Sequence, residues 1–146
     1  MNAVAPASPA VLSAVAGATT PRSHAARLPT VARCLMGLAF FVFGLDGFLA
    51  FIPRPTEAMP AGAAALGGAL YAAGYMIPLI KGTEVVVGAL LLANRFVPLA
   101  LALIAPVLVN IIAFHAFLAP SGIAPGVVLL ALELFLTGLQ FLRLLF

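Results

Sequence analysis

Four long apolar segments, each interrupted by a few polar side chains, dominate this sequence. The chain has 146 residues, of which 64% are hydrophobic and only 8% are charged, and its mean hydropathy is +1.23. Soluble domains carry about 25% charged residues. The charged residues of this chain are therefore too few to cover a water-exposed surface. The length suits one domain. The sequence therefore predicts an all-α integral membrane protein.

Prolines and short polar turns divide the apolar sequence into spans. A helix needs about 20 residues to cross a hydrocarbon core about 30 Å thick. The predicted spans are residues 31–52, 78–93, 96–118 and 125–143. An Ala/Gly-rich stretch at 61–75 predicts a short interfacial or re-entrant helix. We expect a four-helix transmembrane bundle with a short interfacial helix between helices 1 and 2. The alternative is one long, broken helix over 61–93.

Residues 1–30 differ from the rest of the chain. They are rich in Ala, Pro, Ser and Thr and contain no acid. A secretory signal carries its positive charge before the apolar stretch, whereas Arg22 and Arg27 come after it. A transit peptide would share the acid-free composition. We interpret residues 1–30 as a disordered tail and 31–146 as the transmembrane domain.

Arginine positions predict the orientation of the bundle. Basic residues in short loops concentrate on the cytoplasmic side of a membrane. The loops on one side carry Arg22, Arg27, Arg33, Arg95 and Arg143, and those on the other side carry Arg54. Both termini are therefore predicted to be cytoplasmic.

Several kinds of chemistry find no support in the residues. The basic residues form no cluster of the kind that binds nucleic acid. Cys34 is the only cysteine, which excludes an intramolecular disulfide and a CxxC pair. One histidine among scattered acids does not make a metal site. No nucleophile motif, phosphate loop or paired-histidine haem motif occurs.

Six polar residues interrupt the apolar segments, and they are the candidate functional residues. An ionisable side chain at the centre of a membrane helix costs about 2.5–3.5 kcal/mol on insertion scales, so such residues tend to face the bundle interior. Helical rise places most of these six in the outer half of the bundle. The predicted ligand-binding cluster is Asp46, Lys81, Glu84, Asn110, His115 and Glu133.

Lys81, Glu84 and His115 each allow two interpretations. Lys81 and Glu84 suit a structural ion pair, but Lys before Glu is the poorer arrangement within one helix. A partner for either on another helix is therefore also expected. His115 suits a buried, hydrogen-bonded histidine or a group that handles protons or ligand.

The other polar residues differ in how readily packing explains them. Asp46 suits a residue near the membrane interface that snorkels or caps a helix end, and Asn110 suits a hydrogen bond between helices. Glu133 is the hardest to explain structurally, since a carboxylate there needs a partner. The candidates for a catalytic role are Glu84, His115 and Glu133, and whether the chain is an enzyme stays open.

Glycine spacing predicts which faces pack closely. Gly37 and Gly44 mark one face of the first span. Lys81, Glu84 and Gly88 fall on one stripe of the second span, at i, i+3 and i+7. Small residues on such faces let helix backbones approach in membranes.

Residues 30–143 resemble the DoxX family of small four-helix bacterial membrane proteins. The segments that carry the resemblance are GLDGFLAFIP (44–53), GYMIPLIKGTE (74–84), LLLANRFVPLAL (90–101), and Pro106 through Asn110 and His115 to LAPSG (118–122). The family is named after a membrane subunit associated with thiosulfate:quinone oxidoreductase. The resemblance implies a multi-pass protein of the bacterial inner membrane that is linked to sulfur or quinone redox chemistry.

Three functions follow as expectations. The first is an accessory component of a membrane redox system that binds a quinone-type ligand and meets partner subunits. In it, Glu84, His115 and Glu133 handle protons and Lys81 balances charge. The second is a small proton-coupled transporter. The third is a structural or assembly subunit whose polar groups only fix helix register. A homo-oligomer is compatible with each of them.

Overall fold

A computed structural model describes residues 27–53 and 58–145, and the part of the predicted tail at 1–26 lies outside them. The described part of the chain is helical and contains no strand. Its helices are α1 (Leu28–Leu49), α2 (Ala61–Ala72), α3 (Met76–Leu92), α4 (Val97–Phe117) and α5 (Ile123–Leu145), with a 3-10 turn at Pro120–Gly122. The prediction of an all-α chain is confirmed.

Prolines determine where most of these helices begin. Pro29, Pro78, Pro98 and Pro125 each lie in the first turn of a helix, where a missing backbone N–H costs nothing. Pro106 lies inside α4 and removes one hydrogen bond from that helix. The bounds of α1 differ from the prediction by three residues at each end: it begins at Leu28 rather than near residue 31, because Pro29 lies in its first turn, and it ends at Leu49 rather than near residue 52.

Three of the helices are long and apolar enough to cross a membrane: α1, α4 and the stretch Pro120–Arg143. The α2–α3 pair meets the same test only when taken together, and it is bent by 91°. Gly74, with a φ of +74°, lies at the bend, where a side chain would be strained. The structure therefore carries three candidate spans, or four if the bent pair counts as one.

Helices α1 and α3 pack antiparallel with their backbones in close contact. A Cβ atom added at Gly88 would lie 2.5 Å from the backbone nitrogen of Phe41, and one added at Gly44 would lie 2.8 Å from that of Val85. A Cβ atom added at Gly37 would lie 3.0 Å from Cβ of Leu91 and 3.2 Å from the carbonyl oxygen of Gly88. The predicted glycine face of α1 is thus a packing face, and its partner is the Lys81–Gly88 stripe of α3.

A hydrophobic core continues from this contact into α4 and α5. Its largest fully buried side chains are Phe40, Met36, Leu91, Ile104, Leu108 and Val87. Arg33 donates hydrogen bonds to the carbonyl oxygens of Leu91 and Leu92 at the end of α3. A cation at a helix C-terminus is favourable because it meets the negative end of the helix dipole.

We predict that Gly88→Ala destabilises the protein. The added methyl group meets the backbone of Phe41, which cannot rotate away as a side chain can. Overpacking of this kind costs about 1–3 kcal/mol. The measurement is the free energy of unfolding in detergent, with unfolding monitored by the helical signal in circular dichroism.

Gly82→Ala is the matched control in the same helix. A Cβ atom at Gly82 meets nothing within 4 Å, and Ala is favoured over Gly in a helix by about 1 kcal/mol. This variant should be as stable as the parent or slightly more so. Equal effects of the two substitutions would contradict the close contact between α1 and α3.

Candidate ligand-binding cavity

A cavity of about 420 Å³ lies between α2, α3 and α4. Four of the six polar residues singled out in the sequence line it: Lys81, Glu84, Asn110 and His115. Apolar side chains from the three helices form the rest of the wall, namely Leu66, Leu70, Met76, Ile77, Ile80, Pro106, Val107, Ile111 and Phe114. The cavity is therefore mostly apolar with a few polar groups, as small-molecule sites commonly are.

Lys81 and Glu84 form an ion pair on the α3 side of the cavity. Nζ of Lys81 lies 2.8 Å from Oε2 of Glu84, and Glu84 is only 3% exposed. The expectation of a partner on another helix is wrong for this contact, since the pair lies within one helix at i, i+3. The order of Lys before Glu is the poorer one within a helix. It is used here because the buried carboxylate of Glu84 needs the nearest available cation.

Glycines of α1 make room for this pair. A Cβ atom at Gly47 would lie 2.3 Å from Cγ of Lys81, so the methylene stem of the lysine lies directly on the backbone of α1. A Cβ atom at Gly44 would lie 3.0 Å from Cβ of Glu84. The stem is thereby held, and the ammonium group reaches one turn along α3 to the carboxylate.

The ring of His115 is held against the turn that connects α4 and α5. Its Nδ1 lies 3.1 Å from the carbonyl oxygen of Ala119. A carbonyl can only accept, so Nδ1 is the donor and Nε2 of the neutral ring remains an acceptor. A Cβ atom at Gly122 would lie 2.5 Å from Cε1 of the ring, so a larger residue here would require the imidazole to move.

Asn110 bonds within its own helix rather than across helices. Its Nδ2 donates to the carbonyl oxygen of Pro106 at 2.9 Å, one turn earlier in α4. The prediction of a hydrogen bond between helices is therefore wrong for this donor. An amide has two N–H groups and one oxygen, so capacity for further hydrogen bonds remains at the cavity wall.

Asp46 and Glu133 do not line this cavity, so the predicted cluster of six is divided. Asp46 is 4% exposed and its Oδ1 accepts a hydrogen bond from the backbone N–H of Ile52 at 2.7 Å. The backbone oxygen of Asp46 accepts another from Ala50. These bonds close the end of α1, which agrees with the helix-capping interpretation.

Glu133 lies in a separate groove of about 280 Å³ between α4 and α5. It is 6% exposed, and Thr137 donates to its Oε1 at 3.5 Å. Its Oε2 is buried and has no hydrogen-bond partner among the described residues. Glu133 therefore does not converge with Glu84 and His115 on one site. Helix α5 presents it to a different surface of α4.

Sequence reasoning missed several residues that shape the cavity. Leu66 and Leu70 of α2 line it, and their i, i+4 spacing in an otherwise Ala/Gly-rich stretch was a usable signal. Gly47 and Gly122 support Lys81 and His115. Gly47 had a usable signal, since it follows Gly37 and Gly44 at helical spacing on the same face.

No group of three or more possible metal ligands occurs among the described residues. No family model, curated protein or solved structure matches the chain.

We predict that Glu133→Leu raises the stability of the protein. A buried polar atom without a partner costs about 1–3 kcal/mol, and leucine removes that atom while keeping an apolar side chain in the groove. The measurement is the free energy of unfolding in a mild detergent.

Glu84→Leu is the comparison variant. It removes a carboxylate that is equally buried but paired, and it leaves the ammonium group of Lys81 without its partner. It should lower stability. A loss of stability in Glu133→Leu as large as in Glu84→Leu would mean that Glu133 is a paired structural residue.

Proposed function

We propose that the chain is a four-span protein of the bacterial inner membrane in which α2 lies along the membrane surface. The 91° bend supports this arrangement, because a helix perpendicular to a spanning α3 runs parallel to the bilayer. Tyr71 and Tyr75 lie at the bend and are each 66% exposed. Tyrosine is enriched at the depth of lipid headgroups. Helices α1, α4 and α5 supply the other spans.

Both termini face the cytoplasm in this proposal. Arg33, Asn94 and Arg143 line one cavity, which places the start of α1, the α3–α4 turn and the end of α5 at the same end of the bundle. Among the described residues, Arg33, Arg95 and Arg143 thereby lie at one end, which is the pattern of the positive-inside rule.

Terminal fusions test this topology. Green fluorescent protein at either end should be fluorescent in bacterial cells, because it folds in the cytoplasm, and alkaline phosphatase at either end should be inactive. An active phosphatase at one terminus would mean an odd number of spans. Activity at both termini would mean the inverted orientation.

In our proposal the protein is an accessory component of a membrane redox system, and its helix bundle binds a quinone-type ligand. The observation that supports this best is the cavity between α2, α3 and α4, in which a charged pair, an amide and an imidazole interrupt an otherwise apolar wall. A quinone head has an apolar ring and carbonyl oxygens that accept hydrogen bonds. The resemblance to the DoxX family supports the same ligand class.

The residues present suit such a head group. Lys81 has N–H groups beyond the one that meets Glu84, and Asn110 has one beyond its bond to Pro106. These donors come from facing helices, so they can hold the two sides of one ring. Isoleucine, leucine and methionine side chains of the wall suit the ring and the start of an isoprenoid tail.

Bound quinone supplies reversible uptake of electrons and protons, and the chain supplies groups that handle the protons. Glu84 keeps the ammonium of Lys81 in place, so that Lys81 can donate a hydrogen bond into the cavity. His115 can take up a proton at Nε2 while Nδ1 stays bonded to Ala119. Electrons come from partner subunits in this proposal, since the sequence has one cysteine and no pair.

A second candidate function is a structural or assembly subunit. Each polar residue of the cavity already has a partner inside the chain: Lys81 with Glu84, His115 with Ala119, and Asn110 with Pro106. A subunit of this kind needs no ligand. It is expected to copurify with a larger complex and to bind no quinone.

Equilibrium binding of decylubiquinone to the detergent-purified protein separates the two functions. The double variant Lys81→Met/Glu84→Gln removes the charged pair as a unit, so no buried charge is left alone. Hydrogen bonds to charged groups contribute about 1.5–3 kcal/mol, so we expect affinity to fall by about tenfold or more.

Thr137→Val is the control, because Thr137 lies in the groove of Glu133 and outside the cavity. It should bind decylubiquinone as the parent does. Absence of saturable binding to the parent protein, or equal loss in the two variants, would reject the proposed site and favour the assembly role.

A further inference from the structure

A second polar cavity lies at the other end of the bundle, where α1 and α4 begin and α5 ends. It has a volume of about 130 Å³, and its polar lining residues are Thr30, Arg33, Asn94, Gln140 and Arg143. Neither the ion pair of α3 nor His115 contributes to it. The quinone proposal makes no use of this cavity.

The cavity concentrates positive charge without a matching acid. Two guanidinium groups line it, and none of its described lining residues is Asp or Glu. Residues 1–27 contain no acid either. Positive charge that meets no acid among the described residues, beside neutral hydrogen-bonding side chains, is the pattern of an anion site.

Arg33 is fixed in place and still has donors to offer. One of its terminal nitrogens, Nη1, donates to the carbonyl oxygens of Leu91 and Leu92. A guanidinium group has five N–H donors in a planar fork, so the other nitrogens remain for a ligand. The bond to α3 holds the side chain in one orientation, which lowers the entropy cost of binding.

Helix ends of both signs meet at the cavity. Thr30 lies in the first turn of α1, and Val97 is the first residue of α4. Neither helix has a side-chain cap or an acid in its first turn. The positive ends of α1 and α4 are accompanied by the negative C-terminal ends of α3 and α5 at the same end of the bundle, so the positive charge of the cavity comes from its two arginines.

We infer that this cavity binds the phosphate group of an anionic phospholipid. Phosphate matches the arginine fork and the amide donors of Asn94 and Gln140. The helices that meet here are candidate membrane spans, so their ends lie at headgroup depth. Exposed Leu28, Val31 and Leu142 flank the cavity residues in sequence and can contact acyl chains. Free phosphate shares the chemistry but not these apolar contacts.

Native mass spectrometry of the full-length protein in mild detergent tests the inference. Phosphatidylglycerol, phosphatidylcholine and inorganic phosphate are titrated separately. We expect saturable binding of one phosphatidylglycerol at least tenfold tighter than phosphatidylcholine, and no competition from inorganic phosphate at the same concentration. Binding of inorganic phosphate as tight as that of the lipid would overturn the lipid assignment.

Two variants locate the site. Arg143→Gln should weaken phosphatidylglycerol binding about tenfold, and it leaves the Arg33 bond to α3 intact. Arg95→Gln is the matched control, since Arg95 lies beside Asn94 at the same end but packs over Phe96 at 6.0 Å and does not line the cavity. Equal weakening by both variants would show that only the general surface charge matters and would overturn the proposed site.

Discussion

The close antiparallel contact between α1 and α3 is the constraint on which the rest of the structure depends. Gly37, Gly44 and Gly88 let the two backbones approach, and no other residue would leave the same space. Lipid gives helices little hydrophobic drive to associate, so packing of this kind carries much of the association energy in membranes. The contact runs from Arg33 at one end to Lys81 at the other, and it thereby fixes the register of α3.

That register determines what the cavity contains. Gly47 supports the stem of Lys81, and Gly44 faces Glu84. If α3 were shifted by one residue along α1, the buried carboxylate would lie against a different side chain and the ammonium group would lose its support. The cavity wall on the other side comes from α4, where Asn110 and His115 each hold a local hydrogen bond. The charged pair and the imidazole therefore line the same cavity from two helices and do not contact each other in the described structure.

The fold followed from the sequence more closely than the site did. Apolar length and proline positions are local signals, so the helices were predictable to within a few residues. Gly37 and Gly44 also marked a true packing face. Glu133 shows the limit, because periodicity indicates which face of a helix a residue occupies but not which neighbour covers that face. Lys81 shows a second limit: its rotamer depends on the space left by Gly47 across the interface, which no pattern within α3 reveals.

Solid-state NMR of the protein in lipid bilayers tests the central contact directly. With glycine and phenylalanine labelled with ¹³C, a carbon correlation spectrum reports which of these residues touch. The account predicts a strong cross-peak between the Cα atoms of Gly88 and Phe41, comparable in intensity to the sequential Phe43–Gly44 and Gly47–Phe48 peaks. Sequential peaks at full intensity without a Gly88–Phe41 peak would contradict the account, because α1 and α3 would then not meet in this register.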